Sequence, residues 1–254
     1  MFPYDPALLA AVQTTPRSIA EVLATMQAID SVLPDGDGLK WFNWLYLQVT
    51  SAVKQRVALG GFSDTQWLAG LDVQFARLYF DALAAWLGGQ PAPRCWTALF
   101  ERRNQASIAR IQFAMAGINA HINHDLPIAL DATCLAAGIA PSHTSQQYRD
   151  YTGVNASLDG LVELAKKTLM MRLPGDALPP LSRLEETLAA WNVAAAREAA
   201  WVNAEVLWSL RSSAPLSARY LSMLDGITTV AGKTLLVPVP IAAAAVYGAQ
   251  PGIT

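Results

Sequence analysis

This chain is poor in histidine, cysteine and charge. It has three histidines and two cysteines in 254 residues. Charged residues make up 15% of it, against about 25% in an ordinary globular protein. Basic and acidic residues nearly balance, 18 against 20. No basic run occurs, which argues against nucleic acid as a partner. Cys95 and Cys134 lack the spacing of a metal motif and are too few for a disulfide framework. Read as reduced core thiols, they point to a cytoplasmic protein. No Gly-x-Ser-x-Gly elbow, phosphate loop or dinucleotide fingerprint is present, so those chemistries lose their usual carriers. The longest uncharged run, from Thr234 to Thr254, is broken by Pro238, Pro240 and Pro251. No membrane span is expected from it. Met1-Phe2-Pro3-Tyr4-Asp5 lacks the basic-then-apolar order of a secretory signal.

What is present is apolar and helical. Hydrophobic residues make up 53% of the chain, enough for a large core. Ser18-Ile19-Ala20-Glu21, Ser63-Asp64-Thr65-Gln66 and Ser182-Arg183-Leu184-Glu185 read as capping boxes. Apolar residues then recur at helical spacing, predicting helices to about Leu33, Leu87 and Arg211. Further helices are expected over roughly Leu39–Leu59, Arg94–Arg103, Ser107–Ala137, from Gln146 to Leu169, and Leu216–Leu235. Leu173–Pro180 reads as a loop. No period-two pattern marks a strand. The expected fold is therefore all-α, one domain, an orthogonal helical bundle of about seven or eight helices, with a Pro- and Ala-rich tail from about residue 236.

Two of the three histidines fall within one segment, Ala116-Gly117-Ile118-Asn119-Ala120-His121-Ile122-Asn123-His124-Asp125-Leu126-Pro127. On a helix, His121, His124 and Asp125 share one ~100° arc. Ala114 and Gly117 extend that stripe as small residues, and Ile128 continues it, so the stripe should be buried against another backbone or a ligand. Pro127 frees the carbonyl of Asn123, so the helix is expected to kink or break beside the cluster. A lone imidazole on a helix is usually a satisfied core residue. Two imidazoles and a carboxylate on one arc of an apolar helix are costly to bury unless paired or ligated.

Four segments resemble the bacterial domain of unknown function 5995 family. They are Asp37-Gly38-Leu39 with Phe42-Asn43 and Tyr46; Leu71-Asp72-Val73 with Phe75-Ala76 and Tyr79; Gly117 to Pro127; and Ala196-Arg197-Glu198 with Ala200-Trp201. The likeness runs from about Ser18 to Arg211, and it implies an all-helical bacterial protein without an established activity. A weaker likeness is to the zinc-dependent phospholipase C and P1-type nuclease families. It rests on His121-x-x-x-Asp125 with Pro127 shortly after. The three-zinc, histidine-rich site which that likeness would imply does not fit a chain with three histidines beginning Met1-Phe2-Pro3. One or two metals with carboxylate ligands remain open.

The leading expectation is an enzyme acting on a small, largely apolar molecule through His121, His124 and Asp125. Arg197, Glu198 and Asp150 are the expected partners from other helices. Tyr46, Asp72, Tyr79, Gly117, Asn155 and Trp201 are expected around the substrate. The chemistry is either acid–base, with Asp125 fixing an imidazole tautomer, or metal-assisted, with one divalent ion such as zinc on His121 and Asp125. Asp72 also has a plainer reading, as a buried hydrogen-bond acceptor holding helices together. Two other functions stay open. One is a non-catalytic binding or structural module with a satisfied buried polar network. The other is a cyclase-like enzyme folding an isoprenoid or polyketide intermediate in an aromatic pocket, motivated by eight Trp and seven Tyr.

Overall fold

The computed structural model of the protein describes residues 2–156, 158, 164, 167–169 and 192–238. The expected capping box at Ser182–Glu185, the loop at Leu173–Pro180 and the tail beyond residue 238 lie outside these residues. Among the described residues there are ten α-helices, one π-helical turn and no strand. They are α1 (Asp5–Val12), α2 (Ile19–Val32), α3 (Gly38–Ala58), α4 (Thr65–Leu87), α5 (Arg94–Phe100), α6 (Arg110–Ala120), the π turn (His121–Asp125), α7 (Leu126–Ala137), α8 (Gln146–Gly153), α9 (Val193–Leu210) and α10 (Ala214–Leu235). The count exceeds the expectation because α1 forms where no helix was read and the expected central helix divides at its polar cluster. No described helix is long and apolar enough to cross a membrane.

The caps explain most of the starts. Ser18 Oγ accepts the Glu21 N–H at 3.2 Å and opens α2. Asp64, not Ser63, caps α4, its Oδ1 accepting the Trp67 N–H at 3.0 Å. Asn192 caps α9 by accepting the Ala195 N–H at 2.9 Å. The helix expected to open at Ser182 therefore has a start of its own at Val193. Each of these caps satisfies a first-turn donor that has no partner within the helix.

The central element is α6, the π turn and α7 in succession. Pro127 has no N–H to give, and the register slips just ahead of it: the Leu126 N–H bonds the carbonyl of His121, five residues back. The expected kink is thus a widened turn, a common way for a helix to absorb a proline. Gly138, at φ 70°, ends α7 in the left-handed conformation that glycine adopts without strain.

Two apolar cores meet at that turn. The first gathers α1 to α6, with Phe42, Tyr79, Trp96 and Phe113 among its members. The second joins the lower part of α3 and the start of α4 to α7, α8 and α9, around Trp67, Leu126, Tyr151 and Trp201. Helix α4 spans both. Leu68 and Leu71 belong to the second core and Ala76 to Leu87 to the first, which leaves Asp72 and Phe75 at the junction. Helix α6 packs on α3 in parallel. A Cβ on Gly38 would lie 2.3 Å from the Phe113 ring, and one on Gly117 would lie 2.3 Å from the Phe42 ring. The two glycines let the backbones approach until each receives the other helix's phenylalanine. The expected stripe is buried at Ala114, Gly117 and His121, while Ile128 is half-buried.

Candidate functional site

The site is built on the π turn. A widened turn spaces His121, His124 and Asp125 so that both imidazoles reach one carboxylate. His121 Nδ1 lies 3.0 Å from Asp125 Oδ2, and His124 Nδ1 lies 2.7 Å from Asp125 Oδ1. The carboxylate is acceptor-only, so both Nδ1 atoms carry hydrogen. Trp96, fully buried on α5, donates its indole N–H to Asp125 Oδ2 at 2.9 Å. Asp125 is 1% exposed and His121 3% exposed, so these bonds act in a medium of low polarity.

The two imidazoles are held differently. Burial pushes His121 below its usual pKa against the pull of Asp125, which keeps it neutral with a bare Nε2. That Nε2 is buried and has no hydrogen-bond partner. For His124, burial lowers the pKa while Asp125 and Asp225 raise it, and the net shift is upward. Burial raises the Asp125 pKa, the two histidine hydrogen bonds lower it, and the net shift is downward, so it is the fixed anion of the cluster.

Aromatic rings enclose His121. Phe75 stacks flat on it at 3.5 Å, and Tyr46 meets it edge-on at 4.4 Å. Phe42 and Trp96 complete the enclosure at 5.7 and 6.0 Å. Tyr46 and Phe75 also form part of the wall of a cavity of about 50 Å³ between α3, α4, α7 and α9. Its polar lining is Tyr46, Asp72 and Arg197. Such a volume holds a few waters or a small ligand group.

Among the described residues, Asp72 bridges no helices. Its Oδ2 is buried without a partner, and burial pushes its pKa up to about 7. The expected hydrogen-bond acceptor is instead a carboxyl group titrating near neutrality in a cavity wall. Tyr46 Oη lies nearby without a partner of normal geometry, Thr50 being close. Burial, then the Asp72 and Asp125 charges, raise its pKa well above the usual value. Tyr79 is buried between Phe42 and Trp96, its hydroxyl also unpartnered.

The partners expected on other helices are engaged elsewhere. Arg197 donates to Asn155 Oδ1 at 2.7 Å and to the Tyr151 carbonyl at 2.8 Å, reaching the cavity but not Asp125. Asn155 thus supports Arg197. Glu198 accepts from the Tyr148 hydroxyl at 2.8 Å and lies 2.9 Å from the third histidine, His143, on the exposed side of α9. Asp150 receives the Ser63 and Asp64 N–H groups at 3.0 and 2.6 Å and fixes the entry to α4. Trp201 is core, packed on Tyr148 and Tyr151. Gly117 admits Phe42, which in turn contacts His121.

Three participants were missed in the sequence: Trp96, Cys95 and Asp225. Trp96 left one clue, since a buried indole N–H requires an acceptor, but nothing in the spacing joins it to Asp125. The other two are Cys95 and Asp225. Among the described residues, one group of side chains has metal-ligand spacing: Cys95, His124 and Asp225. His121 and Asp125, the pair first considered for zinc, are bonded to one another.

The match of a family model over residues 19–238 decides the affiliation. The chain belongs to the DUF5995 family. This is a family of unknown function. No curated protein and no solved structure matches the chain. The matched span contains every residue of the site in this DUF5995 member, from Tyr46 on α3 to Asp225 on α10.

Proposed function

We propose that this DUF5995 protein is an enzyme performing acid–base chemistry on a small, largely apolar molecule, with His121 Nε2 as the base. The observation that carries the reading is the set of polar atoms that, among the described residues, have no partner where the two cores meet: His121 Nε2, Tyr46 Oη and Asp72 Oδ2. A purely structural network would satisfy such atoms, because each costs about 1–3 kcal/mol when buried alone. Asp125 holds the tautomer that leaves Nε2 basic, and the surrounding rings lower the local polarity. Asp72, with its pKa near 7, suits exchange of the proton with substrate or water. The lining of Val49, Leu68, Leu71 and Phe75 favours an apolar body, and Arg197 a polar end. The two free, buried cysteines and the balanced charge agree with a cytoplasmic enzyme whose substrate is not nucleic acid.

The test is turnover of a panel of small esters, lactones, enolisable ketones and hydroxy acids by wild type and His121→Ala. The expected result is activity on at least one class, reduced by about 10²–10⁴-fold in a variant that keeps its helical circular dichroism. Equal activity in the folded variant would overturn the assignment.

A second reading, a buried network that fixes helix register, is favoured by one observation. Phe75 lies flat on His121, so a substrate must displace that ring to reach Nε2. On that reading His121→Ala lowers the melting temperature and no panel member is turned over.

A further inference from the structure

We propose that Cys95, His124 and Asp225 form a zinc site distinct from the His121 base. Cys95 is the second residue of α5, His124 belongs to the π turn, and Asp225 lies midway along α10. One ligand atom from each lies within 4.8 Å of the others. Ligand atoms on a tetrahedral zinc ion lie roughly 3.5 Å apart, so this grouping is of the right order for one ion. The packing of α10 on α5 and of α10 on the π turn brings the three elements together.

The imidazole and the carboxylate are held in place for a metal. The one hydrogen bond of His124 among the described residues is Nδ1 to Asp125 Oδ1 at 2.7 Å. This leaves Nε2 without a hydrogen-bond partner among the described residues, where a metal would take the place of its proton, and it supplies the carboxylate–imidazole arrangement that orients and strengthens metal-bound histidine. Asp225 Oδ2 is held by Arg94 Nε at 2.8 Å, and Oδ1 accepts the Cys95 N–H at 2.9 Å. The Cys95 thiol also hydrogen-bonds the Asp225 carboxylate, the contact a metal would replace. The Cys95 thiol is buried, and burial with the nearby Asp125 and Asp225 carboxylates raises its pKa, so the ion itself must displace the proton. On binding it loses its proton to solvent, and thiolate plus carboxylate then balance the two charges of the ion. The set is one sulfur, one nitrogen and one oxygen, which suits zinc better than magnesium or calcium. Three protein ligands leave a fourth position for water or a ligand.

The plainer account is that Asp225 caps the start of α5, where Pro93 offers no side-chain acceptor, and pairs with Arg94. That account explains the Asp225 contacts with Arg94 and the Cys95 backbone. It covers the thiol, which hydrogen-bonds Asp225, but gives no role to the His124 imidazole held by Asp125 beside the same carboxylate.

Cobalt substitution tests the site without reference to turnover. Metal-stripped full-length protein is titrated with Co²⁺, followed by Zn²⁺ competition. The expected result is one tightly bound Co²⁺ per chain, with a sulfur-to-cobalt charge-transfer band that Zn²⁺ abolishes. Cys95→Ser should remove that band, and Cys134→Ser should keep it. His124→Gln and Asp225→Asn should weaken binding by more than about 100-fold. Asp125→Asn should weaken it by about 10–100-fold, the range for a group supporting a ligand. Absence of the band in folded wild type overturns the site. So does wild-type affinity in any one ligand variant that keeps its helical spectrum, so failure of one variant to fold leaves the others to decide. Loss of cobalt binding leaves the His121 assignment standing, and loss of turnover in His121→Ala leaves the zinc site standing.

Discussion

Gly117→Leu should destabilise the protein by roughly 3 kcal/mol or more, at or above the upper end of the range for overpacking. Two effects compete in the smaller change to alanine. Replacing glycine within a helix gains about 1 kcal/mol of intrinsic propensity. Against it, the new Cβ would lie 2.3 Å from Phe42 Cγ and 2.6 Å from Phe42 Cβ. Phe42 has nowhere to go: it is 1% exposed and touches Tyr46, Tyr79, Trp96 and His121. The clash should therefore win, and alanine too should destabilise. Urea unfolding monitored by circular dichroism measures both variants. Values within ±0.5 kcal/mol of wild type would contradict the close approach of α3 and α6.

Asp125→Asn should cost about 3–5 kcal/mol, the range for breaking a buried charged pair by removing one partner. The carboxylate accepts from Trp96 and His121 on Oδ2 and from His124 on Oδ1. Asparagine keeps one oxygen and turns the other position into an N–H₂ donor. That donor then faces an N–H from either Trp96 and His121 or His124. On the histidine side relief requires the imidazole to change tautomer. On the Trp96 side there is no relief, because an indole nitrogen can only donate. Chemical denaturation at pH 7 measures the loss. A change below about 1 kcal/mol would mean that the three donors are not all committed to Asp125.

Much of the fold was legible because it rests on local rules. Apolar periodicity, capping residues and the absence of alternation give helices whatever their partners. The helix break was legible for the same reason, since proline's missing N–H acts within one turn. Its form was not. A kink and a π turn both answer to Pro127, and the choice depends on what packs around His121 and His124. The i, i+4 spacing made a bond between Asp125 and one imidazole legible, whereas the bond to the second comes with the π turn. Trp96 and Asp225 were not legible, because they reach the cluster from 29 and about 100 residues away through the docking of α5 and α10.

The expected role of Arg197 and Glu198 shows the same limit in reverse. They stood out as charges on an apolar helix that needed partners, and they have partners: Asn155 and Tyr151 for one, His143 and Tyr148 for the other. A sequence shows that a buried charge requires compensation, but not which neighbour supplies it. Asp72 is the converse case. Its apolar surroundings were visible, and its lack of any compensating bond was not.

The most direct test of the central claim is the protonation pattern of His121. Long-range ¹H–¹⁵N correlation spectra of labelled protein distinguish a protonated ring nitrogen from one bearing a lone pair. With three histidines in the chain, His121→Gln and His143→Gln assign every signal. The arrangement described here predicts that near pH 7 His121 is neutral, protonated at Nδ1 and bare at Nε2. A doubly protonated His121, or a neutral ring with its hydrogen on Nε2, would contradict the claim that Asp125 prepares this imidazole as a base.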